Sequence, residues 1–186
     1  MNKIFDQQFF GQPTLEVAKG LIGQYLVRNG DKYLITEVEA YDGPRDLACH
    51  ASKGKTKRTE IMFGPPGRYY VYLCYGVHWM LNIVTGPVNY PSAVLIRGVG
   101  EFNGPGKVTK NLKIDKSFNG LQANKSTGLW FEENPKRKHK IIKTPRIGVD
   151  YAGPVWSKKD YRFLMLLQDR QTNSGISAIN SNRLMF

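Results

Sequence analysis

The sequence predicts an α+β fold built on one mostly antiparallel sheet, and three observations carry that prediction. Runs of alternating polarity are joined by tight turns at Asn29-Gly30-Asp31 and Tyr75-Gly76, which link antiparallel neighbours. Helical periodicity appears near the N-terminus and again in a short stretch after Gly106. Across 186 residues there is no internal repeat, low-complexity segment or linker, so residues 1–186 read as a single domain of ordinary size.

In chain order, Pro13-Thr14 opens a helix whose buried stripe is Leu15, Ala18, Leu21, Ile22 and Tyr25, with Thr14 as a candidate cap and Gly23 as an interior weakness. Residues 24–28 and 32–41 then form a hairpin. In the second of these strands Glu37, Glu39 and Tyr41 fall on one side, and Thr36, Val38 and Ala40 on the other. Gly43-Pro44 ends it, because proline fixes its own φ and has no N–H to donate. Residues 42–66 form a long connection without convincing periodicity, which inside a compact domain is usually functional or disordered. Residues 69–74 and 77–84 make a second hairpin, with Tyr75 presented at its tip. Most of the other tyrosines are expected in the core. Residues 93–98 form a short buried strand ending at Arg97, which needs a carboxylate partner if it is buried. Residues 107–112 are a short helix, residues 161–168 a last strand, and the polar end from Asp169 is expected to fray.

Lys and Arg outnumber Asp and Glu by 27 to 15, a net charge of +12. Such an excess makes a compact chain repel itself and reflects an anionic partner. DNA, RNA and anionic membranes are the candidates, and a solvated basic surface is the plain alternative. No apolar run follows a charged start and none approaches a membrane span, so no membrane partner is expected and the chain reads as cytoplasmic, with reduced thiols. Cys49 and Cys74 make no disulfide framework. With His50, His78 and His139 they show no metal-ligand spacing, so no metal is expected. The densest basic stretches are Lys53, Lys55, Lys57 and Arg58, and a second run, residues 136–146, containing Lys136, Arg137 and Lys138. Lys107 stands at the start of the short helix, where backbone amides can hold an anion.

Walker A, GxGxxG and GxSxG signatures are absent, so no nucleotide cofactor or serine nucleophile is indicated. What remains for chemistry is the carboxylate pair Glu37 and Glu39, with Arg97, His50 and a set of aromatics. A carboxylate weakens binding to a polyanion unless it has a task, and activating a water is such a task. An enzyme acting on a base must take it out of the stack, and Tyr41, His50 and Tyr72 are suitable walls for it. Tyr75 could fill the gap left behind. The residues alone leave open which of Glu37 and Glu39 acts.

The run Glu37-Val38-Glu39-Ala40-Tyr41-x-Gly43-x-x-Asp46-x-Ala48-x-His50 resembles the signature of the alkyladenine (3-methyladenine) DNA glycosylase family. The likeness begins at Phe9-Phe10 and Gln12-Pro13. It runs on through Met62-Phe63, Tyr70-Val71-Tyr72, Tyr75-Gly76, Asn82-Ile83, Leu95-x-Arg97 and Gly104-Pro105-Gly106-Lys107, to Arg146-Ile147-Gly148-Val149 and Arg162-Phe163. The resemblance implies a curved sheet with flanking helices and a protruding DNA-binding hairpin. It also implies a monofunctional glycosylase that flips alkylated or deaminated purines out of duplex DNA and cleaves the N-glycosidic bond with an activated water. By position, Glu39 matches the general base, Arg97 a holder of the water, and a carbonyl near Val149 its third partner. Tyr41, His50 and Tyr72 match the walls of the base pocket, Asn82 the position that disfavours guanine, and Tyr75 the intercalating residue. The basic residues named above are the candidates for phosphate contact.

The expectation is therefore a monomer that acts without cofactor on double-stranded DNA containing damaged purines, located with the DNA (in the nucleoid if bacterial). A non-catalytic nucleic-acid-binding domain is the alternative. A glycosidase of soluble nucleosides fits less well, because adjacent carboxylates on one strand do not straddle a glycosidic bond.

Overall fold

In the computed structural model, residues 2–136 and 139–166 are described. Arg137, Lys138, the end of the predicted last strand and the polar C-terminal stretch lie outside them.

Helix α1 (Gln7–Phe10) is capped by Asp6, whose carboxylate accepts the Phe9 N–H at 3.1 Å. Helix α2 (Thr14–Leu21) follows Pro13. Thr14 does not cap it. Its side chain is buried, and its hydroxyl accepts a hydrogen bond from the Thr85 hydroxyl at 3.2 Å. Gly23 is not a weakness inside the helix either. The helix ends at Leu21, and Gly23 takes a left-handed φ of 76° that turns the chain into strand β1 (Tyr25–Arg28). Tyr25 thus belongs to the strand, not to the helical stripe.

Strand β2 (Asp31–Tyr41) follows a turn with positive φ at Asn29 and Gly30, the twist that suits a two-residue hairpin. The other strands are β3 (Tyr69–Cys74), β4 (His78–Val84), β5 (Ala93–Val99), β6 (Phe102–Asn103), β7 (Leu129–Glu132), β8 (Lys140–Thr144) and β9 (Arg162–Leu166). Helices α3 (Pro105–Asn111) and α4 (Gly153–Trp156) complete the set. All pairings are antiparallel, in the order β3-β4-β5-β2-β1-β7, with β9 also on β2, β8 on β9 and β6 on β5. Residues 136–146, read as a basic cluster, hold strand β8, and the 42–66 connection is ordered by two 3-10 turns, His50–Lys53 and Glu60–Phe63.

Strand β2 is the hub. Its first half pairs with β1, its middle with β9, and its second half with β5 along the opposite edge. The register against β5 shifts between Ile35 and Val38. Strict alternation would put Ile35 on the side of the glutamates. The irregularity instead lets Ile35 join Val38 and Ala40 in the core, as a bulge does by adding one residue. Opposite it stands Gly98, where a Cβ would meet the Thr36 hydroxyl at 2.7 Å, so only glycine fits there without a shift.

The core face carries Val38, Ala40, Tyr69, Leu81, Ile83, Val94, Ile96 and Phe163, packed against Phe10, Val17, Ala18 and Leu21 from the first two helices and Val108 from α3. Burying each such large side chain contributes roughly 1.5–3 kcal/mol. The opposite face holds the site.

Candidate active site

Residues directly opposite across antiparallel strands point to the same face. One such row runs Tyr70, Asn82, Leu95, Glu39, Arg162 across β3, β4, β5, β2 and β9, and the next runs Val84, Ala93, Tyr41. Arg97 stands two residues beyond Leu95 on this face. Pairing alone therefore gathers residues separated by more than a hundred positions in the chain.

The two glutamates are both buried but differently held. Glu37 Oε1 accepts from Arg97 Nε at 2.8 Å and from Arg162 Nε at 2.6 Å. Glu39 is fully buried. Its Oε2 accepts the Tyr41 hydroxyl at 2.9 Å and its Oε1 the Ile147 N–H at 2.8 Å, while Arg97 stands 3.4–3.5 Å away. Burial pushes the Glu39 carboxyl above its ordinary range. Arg97, the Ile147 N–H and the Tyr41 hydroxyl pull it back in part, and Glu37 adds to the rise. Glu37 is committed to two guanidinium groups. Glu39 touches Tyr41, a residue of the cavity wall.

That cavity, open to solvent, is lined by Tyr41, Ala48, His50, Met62, Tyr70, Tyr72, Asn82, Ala93 and Tyr151. Its aromatic walls, Tyr41, His50, Tyr70, Tyr72 and Tyr151, suit a flat ring that can stack on them. His50 packs edge-on to Tyr72 at 4.6 Å, and its Nδ1 lies 3.0 Å from the Tyr70 hydroxyl. Burial, with Arg58 and Lys53 nearby, lowers the imidazole to about 4, so it is neutral at pH 7. Asn82 donates its NH2 to the Tyr70 and Met80 carbonyls, at 3.0 and 3.3 Å. This leaves Oδ1 as its remaining polar atom. Burial pushes the Cys49 thiol up to about 12, so it is not a reactive thiolate at neutral pH.

A buried ion pair frames the cavity. Asp46 accepts Arg146 Nη1 at 2.5 Å and Nη2 at 2.9 Å, and also the N–H groups of Asp42 and Ala48, both at 3.0 Å. Arg146 donates further to the Ala40 carbonyl at 2.8 Å, and its guanidinium lies 4.8 Å from the centre of the Tyr41 ring. Among the described residues its Nε is the buried side-chain polar atom that lacks a partner. Arg146 therefore does not belong to a phosphate-binding surface, as the dense basic run suggested. It ties the Gly43–Ala48 loop to the segment that brings the Ile147 N–H to Glu39.

The structure thus gathers Glu39, Arg97, Tyr41, His50, Tyr72 and Asn82 on one side of the sheet. Val149 is buried beside Ala48 and Ala152, and its carbonyl accepts the Ala152 N–H at 2.9 Å. Tyr75 is 94% exposed at the hairpin tip, with φ 50° beside Gly76 at 70°. Lys53, Lys55, Lys57, Arg58, Lys107 and Lys136 are exposed. Sequence reasoning missed Tyr70, Met62 and Tyr151 as cavity walls, the Ile147 N–H and the Asp46–Arg146 pair. Tyr70 was discoverable: it is two residues from Tyr72, and so on the same face. Among the described residues no three His, Cys, Asp or Glu side chains cluster closely enough to hold a metal ion.

The chain matches the family model described as "Methylpurine-DNA glycosylase (MPG)" over residues 8–102 and 101–168. Proteins named "Putative 3-methyladenine DNA glycosylase" are similar over most of their length. The one from Methanocella arvoryzae is 44% identical over 174 residues, covering 81% of this chain and 86% of the relative. The Legionella pneumophila (strain Corby) protein is 43% identical over 166 residues, covering 83% and 90%. The one from Anaeromyxobacter dehalogenans is 40% identical over 170 residues, covering 86% and 82%. With its family match spanning both the β2 strand and the Arg146–Val149 segment that meet at Glu39, this chain belongs to the methylpurine-DNA glycosylase family.

Proposed function

We propose that the protein is a monofunctional DNA glycosylase that takes alkylated or deaminated purines out of the duplex and hydrolyses their N-glycosidic bond. The observation that carries the reading is the position of Glu39: a wholly buried carboxylate, joined by one hydrogen bond to the wall of an aromatic cavity, in a chain of net charge +12. A carboxylate in such a place opposes DNA binding and has desolvation against it, so a chemical task accounts for it.

In this reading the flipped base stacks between Tyr41 on one side and His50 and Tyr72 on the other, while Tyr75 fills the vacated stack. Glu39, ionised, accepts a proton from a water as the water oxygen bonds to C1′ of the sugar. The C1′–N bond breaks with its electron pair passing to the base. Alkylation at N3 or N7 makes the base cationic, so it leaves neutral and needs little acid assistance. Arg97 and the Ile147 N–H hold the carboxylate in place, and neutral His50 adds no positive charge against a cationic base.

The test is incubation with duplexes bearing 3-methyladenine, 7-methylguanine, hypoxanthine or ethenoadenine, scored for released base. The expected result is release by the wild type. Glu39→Gln should release none yet bind lesion duplex at least as tightly. Wild-type release rates in that variant would end the proposed mechanism. Tight binding with no base released from any lesion would instead favour a non-catalytic nucleic-acid-binding domain.

A further inference from the structure

Four charges lie together on the site face, and their bookkeeping assigns a task to a residue outside the cavity. Glu37 and Glu39 are side chains 8% and 0% exposed; Arg97 and Arg162 are 12% and 21% exposed. A single Glu37 oxygen accepts from both Arg97 Nε and Arg162 Nε. Arg162 stands directly opposite Glu39 across the β2–β9 pairing, two strands from Arg97's chain neighbours on β5. The other groups that face Glu39 are the Tyr41 hydroxyl, the Ile147 N–H and, across the Tyr41 ring, the Arg146 guanidinium already neutralised by Asp46.

From this geometry we infer that Arg162 is a positioning residue: by neutralising Glu37 it keeps Arg97 available to Glu39 and holds Glu39 in its ionised, proton-accepting form. The inference rests on the water-activating role proposed for Glu39. Without Arg162, one guanidinium would serve two buried carboxylates, leaving a net negative charge in a poorly solvated place. Like charges so near each other favour protonation of one of them. Arg162 is the most exposed of the four, so its own charge is the least costly to maintain there. Its side chain could instead serve only to fasten β9 to β2, and the two roles separate by pH.

The experiment measures single-turnover base release from a duplex bearing a methylated purine, between pH 4.5 and 9. It uses the full-length protein and the variants Arg162→Leu, Arg162→Lys, Glu37→Gln and the Glu37→Gln/Arg162→Leu double variant. In Arg162→Leu the acid limb of the profile should move up by about one pH unit, tenfold in proton activity, with the loss of rate concentrated below that limb. Arg162→Lys should restore most of the shift, because it restores the charge. Glu37→Gln should move the limb downward, and the double variant should lie near the wild type, because acid and counter-charge leave together. An unmoved acid limb in Glu37→Gln, or a loss uniform with pH in Arg162→Leu, would overturn the inference. Should Arg162→Leu fail to fold, Glu37→Gln and Arg162→Lys decide the matter by themselves. If the wild type releases no base, or Glu39→Gln releases it normally, it is the glycosylase reading that fails. If both of those controls behave and the limbs do not move, only the role of Arg162 does.

Discussion

Substituting Asp46 by Asn tests the framework that holds Glu39 in place. The two side chains of the Asp46–Arg146 pair are each 0% exposed, and the carboxylate accepts four hydrogen bonds, two from the guanidinium and two from the Asp42 and Ala48 N–H groups. Asparagine keeps the shape but offers one oxygen, so an NH2 group would face an N–H donor and the Arg146 charge would lose its counter-ion. Breaking a buried pair from one side costs about 3–5 kcal/mol. Against a total stability of about 5–15 kcal/mol, that is a large share. Urea unfolding followed by tryptophan fluorescence measures it. With a slope of about 1–3 kcal/mol per molar urea, the midpoint should fall by roughly 2 M. Excision should fall as well, because the Arg146 segment presents the Ile147 N–H to Glu39. A loss below about 1 kcal/mol, the size seen for exposed pairs, would refute the claim that this pair frames the site.

Three further outcomes follow from the same geometry. Tyr75→Ala should weaken binding to lesion duplex more than binding to undamaged duplex, and equal losses measured by fluorescence anisotropy would count against a wedge at the hairpin tip. The exposed residues Lys53, Lys55 and Lys57 should each add about 0.9 to the slope of log binding constant against log salt if they meet phosphates. Their triple replacement by Gln should flatten that slope, and an unchanged slope would remove them from the interface. Burial lowers His50 to about 4 in the folded chain, from an ordinary value near 6.5. The unfolded chain therefore binds the proton more readily, so this residue's contribution makes stability decline as pH falls from about 6.5 towards 4. His50→Gln should lessen that decline in urea titrations, and an imidazole NMR titration near 6.5 in the native protein would contradict it.

Local signals made some of this molecule readable. The Asn29-Gly30 and Tyr75-Gly76 turns demand left-handed backbone, and alternation from Val38 to Tyr41 places Glu39 and Tyr41 on one face. The helix after Pro13 was readable, but not its end or its cap: Pro13 takes the cap position, and Thr14, inside the first turn, meets Thr85, 71 positions away. Strand β8 was hidden because its two apolar residues, Ile141 and Ile142, are adjacent and leave on opposite faces, so they show no alternation among the lysines, and β7 because four residues give too short a pattern. Tyr70 and Tyr69 look alike in sequence. Pairing with Asn82 turns one to the cavity, and pairing with Ile83 turns the other to the core.

By itself the sequence determined the sheet's antiparallel character, the acidic strand within a basic chain, and the ordered motif set that marks the family, because turns, alternation and charge are local or additive properties. It could not decide between Glu37 and Glu39 on chemical grounds. The family resemblance pointed to Glu39 by position, and the tertiary structure gives the physical difference: Glu37 has two guanidinium partners from β5 and β9, and Glu39 a tyrosine of the cavity wall and a backbone N–H from 108 residues further on. The same holds for Arg146, a member of a basic run by composition and a buried partner of Asp46 by packing. A side chain's charge is written in the sequence, but its partner and its exposure to water exist only once distant strands meet.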